Sequence, residues 1–172
     1  MKKFTKLITA ALSALSLTII SFEWVGARAP AYAQSVITPL SFIKNSDLIF
    51  GNLLVGPYLT GKIILTPAGK LINCCNGVVT VPSPTAVASA DFTVTGEPEY
   101  IYAVSLPSTA IVSNGANIMS LSGFTSYPTG NGLLDSNGVQ KLKIGATLNI
   151  PAAHAAGHYF NLKEVQVTIN YN

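Results

Sequence analysis

The last eight residues constrain the fold most. From Val165 to Asn172 apolar and polar side chains alternate without exception: Val165, Val167, Ile169 and Tyr171 against Gln166, Thr168, Asn170 and Asn172. Period two is the repeat of a β-strand, whose successive side chains point to opposite faces. Burying four such side chains is worth roughly 1.5–3 kcal/mol each, and left uncovered the face would be an aggregation site. Two arrangements satisfy it. The strand can be an ordinary member of a self-sufficient sandwich. Alternatively, another chain can cover or pair with it, as in strand completion between like subunits or with an assembly chaperone. A mediocre donor lies at the other end of the domain, where Val36, Thr38, Leu40 and Phe42 alternate but Pro39 interrupts.

The rest of the chain punctuates in the same way. Short apolar runs near Val36–Phe42, Asp47–Phe50, Gly61–Thr66, Gly77–Val81, Ala90–Gly96, Tyr100–Leu106, Asn117–Phe124, Val139–Ile144, Thr147–Ile150 and Tyr159–Tyr171 are separated by turn formers. Phe92 and Val94 should share a face. Leu142 and Ile144 should point inward, with Lys141 and Lys143 toward water. Asn114-Gly115, Asn131-Gly132 and Asn137-Gly138 are dipeptides that accept the positive φ of tight hairpin turns. The expected fold is all-β, an antiparallel sandwich of about 7–10 strands. The one helical candidate, Ala152–Ala156, is confined to about one turn by Pro151 and Gly157.

The N-terminus has a different character. Lys2, Lys3 and Lys6 precede an uncharged apolar run from Leu7 to Ile20, shorter than the ~20 residues of a bilayer span. Ala31-Tyr32-Ala33 then places small residues as a signal-processing site requires, so residues 1–33 read as a signal peptide cut between Ala33 and Gln34. Residues 34–172 form the single expected domain, exported to the periplasm, cell surface or medium. Of 10 basic residues 4 precede Gln34, leaving 6; of 7 acidic residues 1 does, leaving 6. The domain is formally neutral, which gives no warrant for nucleic acid or anionic lipid as a partner.

The blocks Ala90–Pro98 and Ile144–Ile150, followed by Ala155-Ala156-Gly157-His158-Tyr159 and Val165–Asn172, resemble an exported bacterial family known as domain of unknown function 4402. More distantly, a Gly-x-Tyr ahead of an alternating strand with a penultimate tyrosine resembles the last strand of spore coat U-type and chaperone–usher fimbrial subunits, which are incomplete immunoglobulin-like sandwiches. The resemblance implies a surface or fibre-forming protein with an immunoglobulin-like fold, and carries no catalytic or ligand residues to transfer.

Chemistry-bearing residues are few. Cys74 and Cys75 are the two cysteines. Adjacent Cα atoms lie about 3.8 Å apart, below the roughly 4.4–6.8 Å of an ordinary disulfide, so a vicinal bond would be strained. That bond, an intermolecular bridge and two thiols all stay open. His154 and His158 would suit a metal only on a regular helix, and no acidic residue lies near in sequence as a third ligand. Asp91, Glu97 and Glu99 sit near turns, where carboxylates are usually solvated. No nucleophile elbow or phosphate loop occurs. The expectation is therefore a non-enzymatic structural protein without cofactor, assembling through Val165, Val167, Ile169 and Tyr171. The alternative is a free-standing adhesin or carbohydrate-binding module presenting Tyr100, Tyr102 and Tyr127 on loops.

Overall fold

Val139–Ile150 is one continuous strand, and the domain is built around it. Leu142, Ile144, Ala146, Leu148 and Ile150 all turn to one face and are buried, as period two requires. The computed structural model describes residues 37–74, 77–82, 84, 86–161 and 165–172, within the compact unit Val36–Asn172. The signal-peptide reading of residues 1–33, with Ala33 and Gln34, lies outside the described residues. In chain order the strands are β1 (Ser41–Ser46), β2 (Asn52–Val55), β3 (Gly61–Leu65), β4 (Leu71–Asn73), β5 (Val78–Val81) and β6 (Ala90–Thr95). They continue as β7 (Ile101–Ser105), β8 (Thr109–Asn114), β9 (Asn117–Tyr127), β10 (Asn131–Leu133), β11 (Val139–Ile150) and β12 (Thr168–Tyr171).

All pairings are antiparallel. One edge of β11 takes β6 along Val139–Ile144 and then β3 along Ala146–Ile150, while the other edge takes β9. The neighbour changes at Gly145, where a Cβ would collide with the carbonyl oxygen of Leu65. β1 extends this sheet beyond β6, β4 beyond β3 and β8 beyond β9. Against its inner face lie two smaller sheets, β10-β7-β12 and β2-β5. The core divides accordingly. Ile63, Val78, Leu121, Leu148 and Ile150 pack in one half. Val94, Tyr102, Leu134, Leu142 and Ile144 pack in the other. The fold is an all-β antiparallel sandwich that curls along β11.

Phe92 and Val94 share the inward side, and Leu142 and Ile144 are buried between exposed lysines, as the alternation indicated. Several boundaries differ. There are twelve strands among the described residues rather than seven to ten. β1 starts at Ser41, after Pro39, and not at Val36. Asp47–Phe50 makes only a bridge between Ile49 and Ala88, and the following residues pair instead. Val139–Ile144 and Thr147–Ile150 are one strand. Within Tyr159–Tyr171 the strand proper is Thr168–Tyr171, preceded by a bridge at Phe160. Asn131-Gly132 is not a turn but part of β10: a Cβ on Gly132 would strike the Tyr102 ring, so the glycine makes room for that ring. Asn114-Gly115 does form the β8–β9 hairpin turn, with Gly115 at φ 61°.

Candidate functional site: the open side between the first and last strands

β12 is paired on one edge only, to β7. The direction of its unpaired groups follows from the ladder. Asn172 N–H donates to the Ile101 carbonyl (3.1 Å), whereas Val104 N–H donates the other way, to the Gly130 carbonyl (2.7 Å). Bonded and non-bonded pairs alternate along an antiparallel ladder, so the N–H and C=O groups of Ile169 and Tyr171 point away from β7. No strand meets that edge among the described residues. The side chains of Val165, Val167, Ile169 and Tyr171 are half-buried and those of Gln166, Thr168, Asn170 and Asn172 are exposed. The alternation read from the sequence therefore holds through the whole segment.

Across the sandwich stands β1, also an edge. Phe42 lies opposite the buried Val94 and thus faces inward, its ring edge-on to Phe92 with centroids 5.7 Å apart. It is nevertheless 39% exposed. Near the free edges of β1 and β12 the apolar groups Leu40, Phe92 and Val167 are only half-buried where they pack against the core.

One end of this open side is fastened. The Tyr171 hydroxyl donates to the Thr38 carbonyl (2.6 Å) and accepts from the Glu97 N–H (2.6 Å), while Thr38 N–H donates to Glu97 Oε2 (2.8 Å). The last bond first, and then the Thr38 side chain, holds the Glu97 carboxyl below its usual value. A Cβ on Gly96 would strike the Tyr171 hydroxyl, so glycine there admits the ring. Tyr100 packs edge-to-face on Tyr171 at 5.8 Å. Three remote stretches thus meet at one phenol.

The edges of the two larger sheets differ in what protects them. β1 carries Lys44, shifts register between Lys44 and Ser46 and follows Pro39, all devices that discourage further pairing. β4 and β10 are three residues long. β8 is bridged at Ser113 by Phe160. β12 has no charge, proline or register break.

The other sequence candidates are dispersed. Asp91 accepts from Asn45 (2.7 Å) and pairs with Lys141 (3.5 Å), apart from the turn that holds Glu97 and Glu99. His154 stacks near Tyr159 and His158 near Phe160, with ring centroids 5.1 and 6.1 Å apart. Cys74 is exposed, its Sγ 3.6 Å from the Lys62 carbonyl; Cys75, and hence a Cys74–Cys75 bond, lies outside the described residues. The three tyrosines do not gather on loops. Tyr102 is wholly buried on β7 and donates to Gln140 Oε1 (2.8 Å), while Tyr127 sits on β9 and Tyr100 stays beside Tyr171. Sequence reading missed Thr38, Gly96 and Glu97 as partners of Tyr171. The lone available signal was a tyrosine ending a run of aliphatic inward positions.

A family model described as Domain of unknown function (DUF4402) matches residues 40–171, from the segment leading into β1 to the end of β12. The chain belongs to that family. No curated protein and no solved structure matches it. The DUF4402 domain thus begins and ends at the two segments that flank the open side.

Proposed function

We propose that this DUF4402 domain is an exported, non-enzymatic structural subunit that assembles through its C-terminal strand. A strand from a like subunit or from an assembly chaperone adds along the free edge of β12. The observation that carries the reading is the unguarded edge itself: Ile169 and Tyr171 direct their backbone N–H and C=O groups outward, near the half-buried apolar side chains of Phe92 and Val167. Main-chain bonds would supply the affinity of such an addition and the apolar border its register. The distant resemblance to fimbrial and spore coat subunits agrees with this reading. Electrophoresis of the exported protein from its native host tests it. A ladder that survives detergent and collapses on boiling is the expected result. A ladder that collapses with reductant alone means that Cys74 or Cys75 joins the chains instead.

A second reading, a binding module for a neutral ligand such as a carbohydrate, is favoured by one feature. Where β11 ends, a shallow trough of about 550 Å³ opens between β3 and β9, lined in part by Lys62, Ile118, Ser120, Asn149 and Pro151. Asn149 Nδ2 donates to Ser122 Oγ there (2.8 Å). Amide shifts confined to Ser120 and Asn149 on titration with neutral oligosaccharides would favour this reading over the first.

A further inference from the structure

We infer that the Thr38–Glu97–Tyr171 clasp is an acid-sensitive latch that decides whether the leading segment and β1 stay docked on the sandwich. Beyond its ladder, β1 is tied by exposed or part-buried side-chain bonds between Ser41 and Thr95, from Asn45 to Asp91 and Thr93 and from Ser46 to the Ser89 carbonyl, and it has little burial of its own. Five of its six residues are exposed, its ladder to β6 is irregular, and its one aromatic, Phe42, is only partly covered. The clasp grips the chain just ahead of it at both backbone groups of one residue, the Thr38 N–H and C=O, which leaves Thr38 no freedom to peel away while both bonds stand. The grip comes from elements that are themselves fixed. Tyr171 belongs to β12, whose Ile169 and Tyr171 side chains pack half-buried against the core, and Glu97 follows β6, the strand shared by β1 and β11. Gly96 shows that the arrangement is built in, since any side chain there would expel the phenol from between Thr38 and Glu97.

One of the three bonds has an ionised acceptor. Such bonds are roughly twice as strong as neutral ones, and protonating Glu97 removes the charge that strengthens it. The titratable groups on the elements around Glu97 are the phenols of Tyr171 and Tyr100 and the carboxyls of Glu99 and Asp135; no cation pairs with Glu97 among the described residues. Two further carboxyls bond β1 directly, Asp91 through Asn45 and Asp47 through Lys44, and the Glu97→Gln variant separates their effect from that of the clasp. Glu97 is held below its ordinary value of 4.5, so its contribution is complete above that value and fades as pH falls through the depressed one. Release would free the segment that enters β1 and uncover Leu40 and Phe92 further. The latch itself stands whether or not strands add there.

Amide hydrogen exchange on the monomer, read as protection factors, tests the inference separately from any assembly. In Tyr171→Phe the β1 amides should lose about tenfold or more of their protection at about pH 7, while Ala146–Leu148 keep theirs. In the wild type the same β1 amides should lose protection selectively on acidification, and in Glu97→Gln that pH step should vanish. The wild-type arm needs no variant to fold. Unchanged β1 protection in Tyr171→Phe would overturn the latch, as would an equal loss in β11, which would make Tyr171 a general packing residue. A pH step that persists in Glu97→Gln would overturn its acid sensitivity.

Discussion

β1 and β12 stand at the same open side of one sandwich, yet they are held and guarded in opposite ways. β12 packs the half-buried Ile169 and Tyr171 against the core and leaves its outer backbone edge without a strand partner among the described residues. β1 leaves most of its side chains in water, carries Lys44 and a register break, and is held by polar bonds at the surface and by the clasp on the segment before it. A protein that merely needed to close its sandwich would have reason to blunt both edges, because an unguarded edge invites pairing. On the proposed assembly, this difference is the reason a strand would add at β12 rather than at β1.

The contrast in anchorage is the easiest to break. Ile169→Ala should destabilise the domain by about 2 kcal/mol in urea unfolding, while Ile43→Ala, on the exposed face of β1, should stay within about 0.5 kcal/mol. Equal losses would remove the distinction. Tyr171→Phe comes next, at about 1 kcal/mol for the lost phenol bonds, with β1 loosening before the rest. Acidification is a smaller and local effect. The Glu97 carboxyl is depressed in the folded chain, so docking of the leading segment weakens as pH falls below the usual carboxylate range and is unaffected above it. A midpoint shared by β1 and the core would erase the local character of the clasp.

How much of this was legible depended on the range of the interaction that fixed each part. β6, the two parts of β11 and β12 declared themselves through alternating apolar and polar residues, as over the four residues from Lys141 to Ile144 and the seven from Val165 to Tyr171. β4 and β10 are three residues long, too short for any period to show, and β10 is hidden behind an Asn-Gly pair that usually means a turn. There the deciding fact was the Tyr102 ring opposite Gly132, which only the tertiary packing reveals. The join of two expected strands into β11 rests on Gly145 lying against the Leu65 carbonyl, again a remote contact. The clasp was the least legible part. Its bonds span separations of 59, 74 and 133 residues and use polar groups with no local pattern. The bare edge of β12 could not be read either, since a central strand and an edge strand share the same alternation.

Strand addition at β12 should fail once that strand carries the guard that β1 has. Asn170 is exposed on β12, away from the core, so Asn170→Lys adds the charge an edge strand uses against pairing while leaving the fold within about 0.5 kcal/mol. The exported wild-type and variant proteins are compared unboiled and boiled, both with reductant present. The account predicts a heat-sensitive ladder for the wild type and a single monomer band for the variant. A ladder that persists in the variant, or a wild type that runs as a monomer throughout, would contradict it.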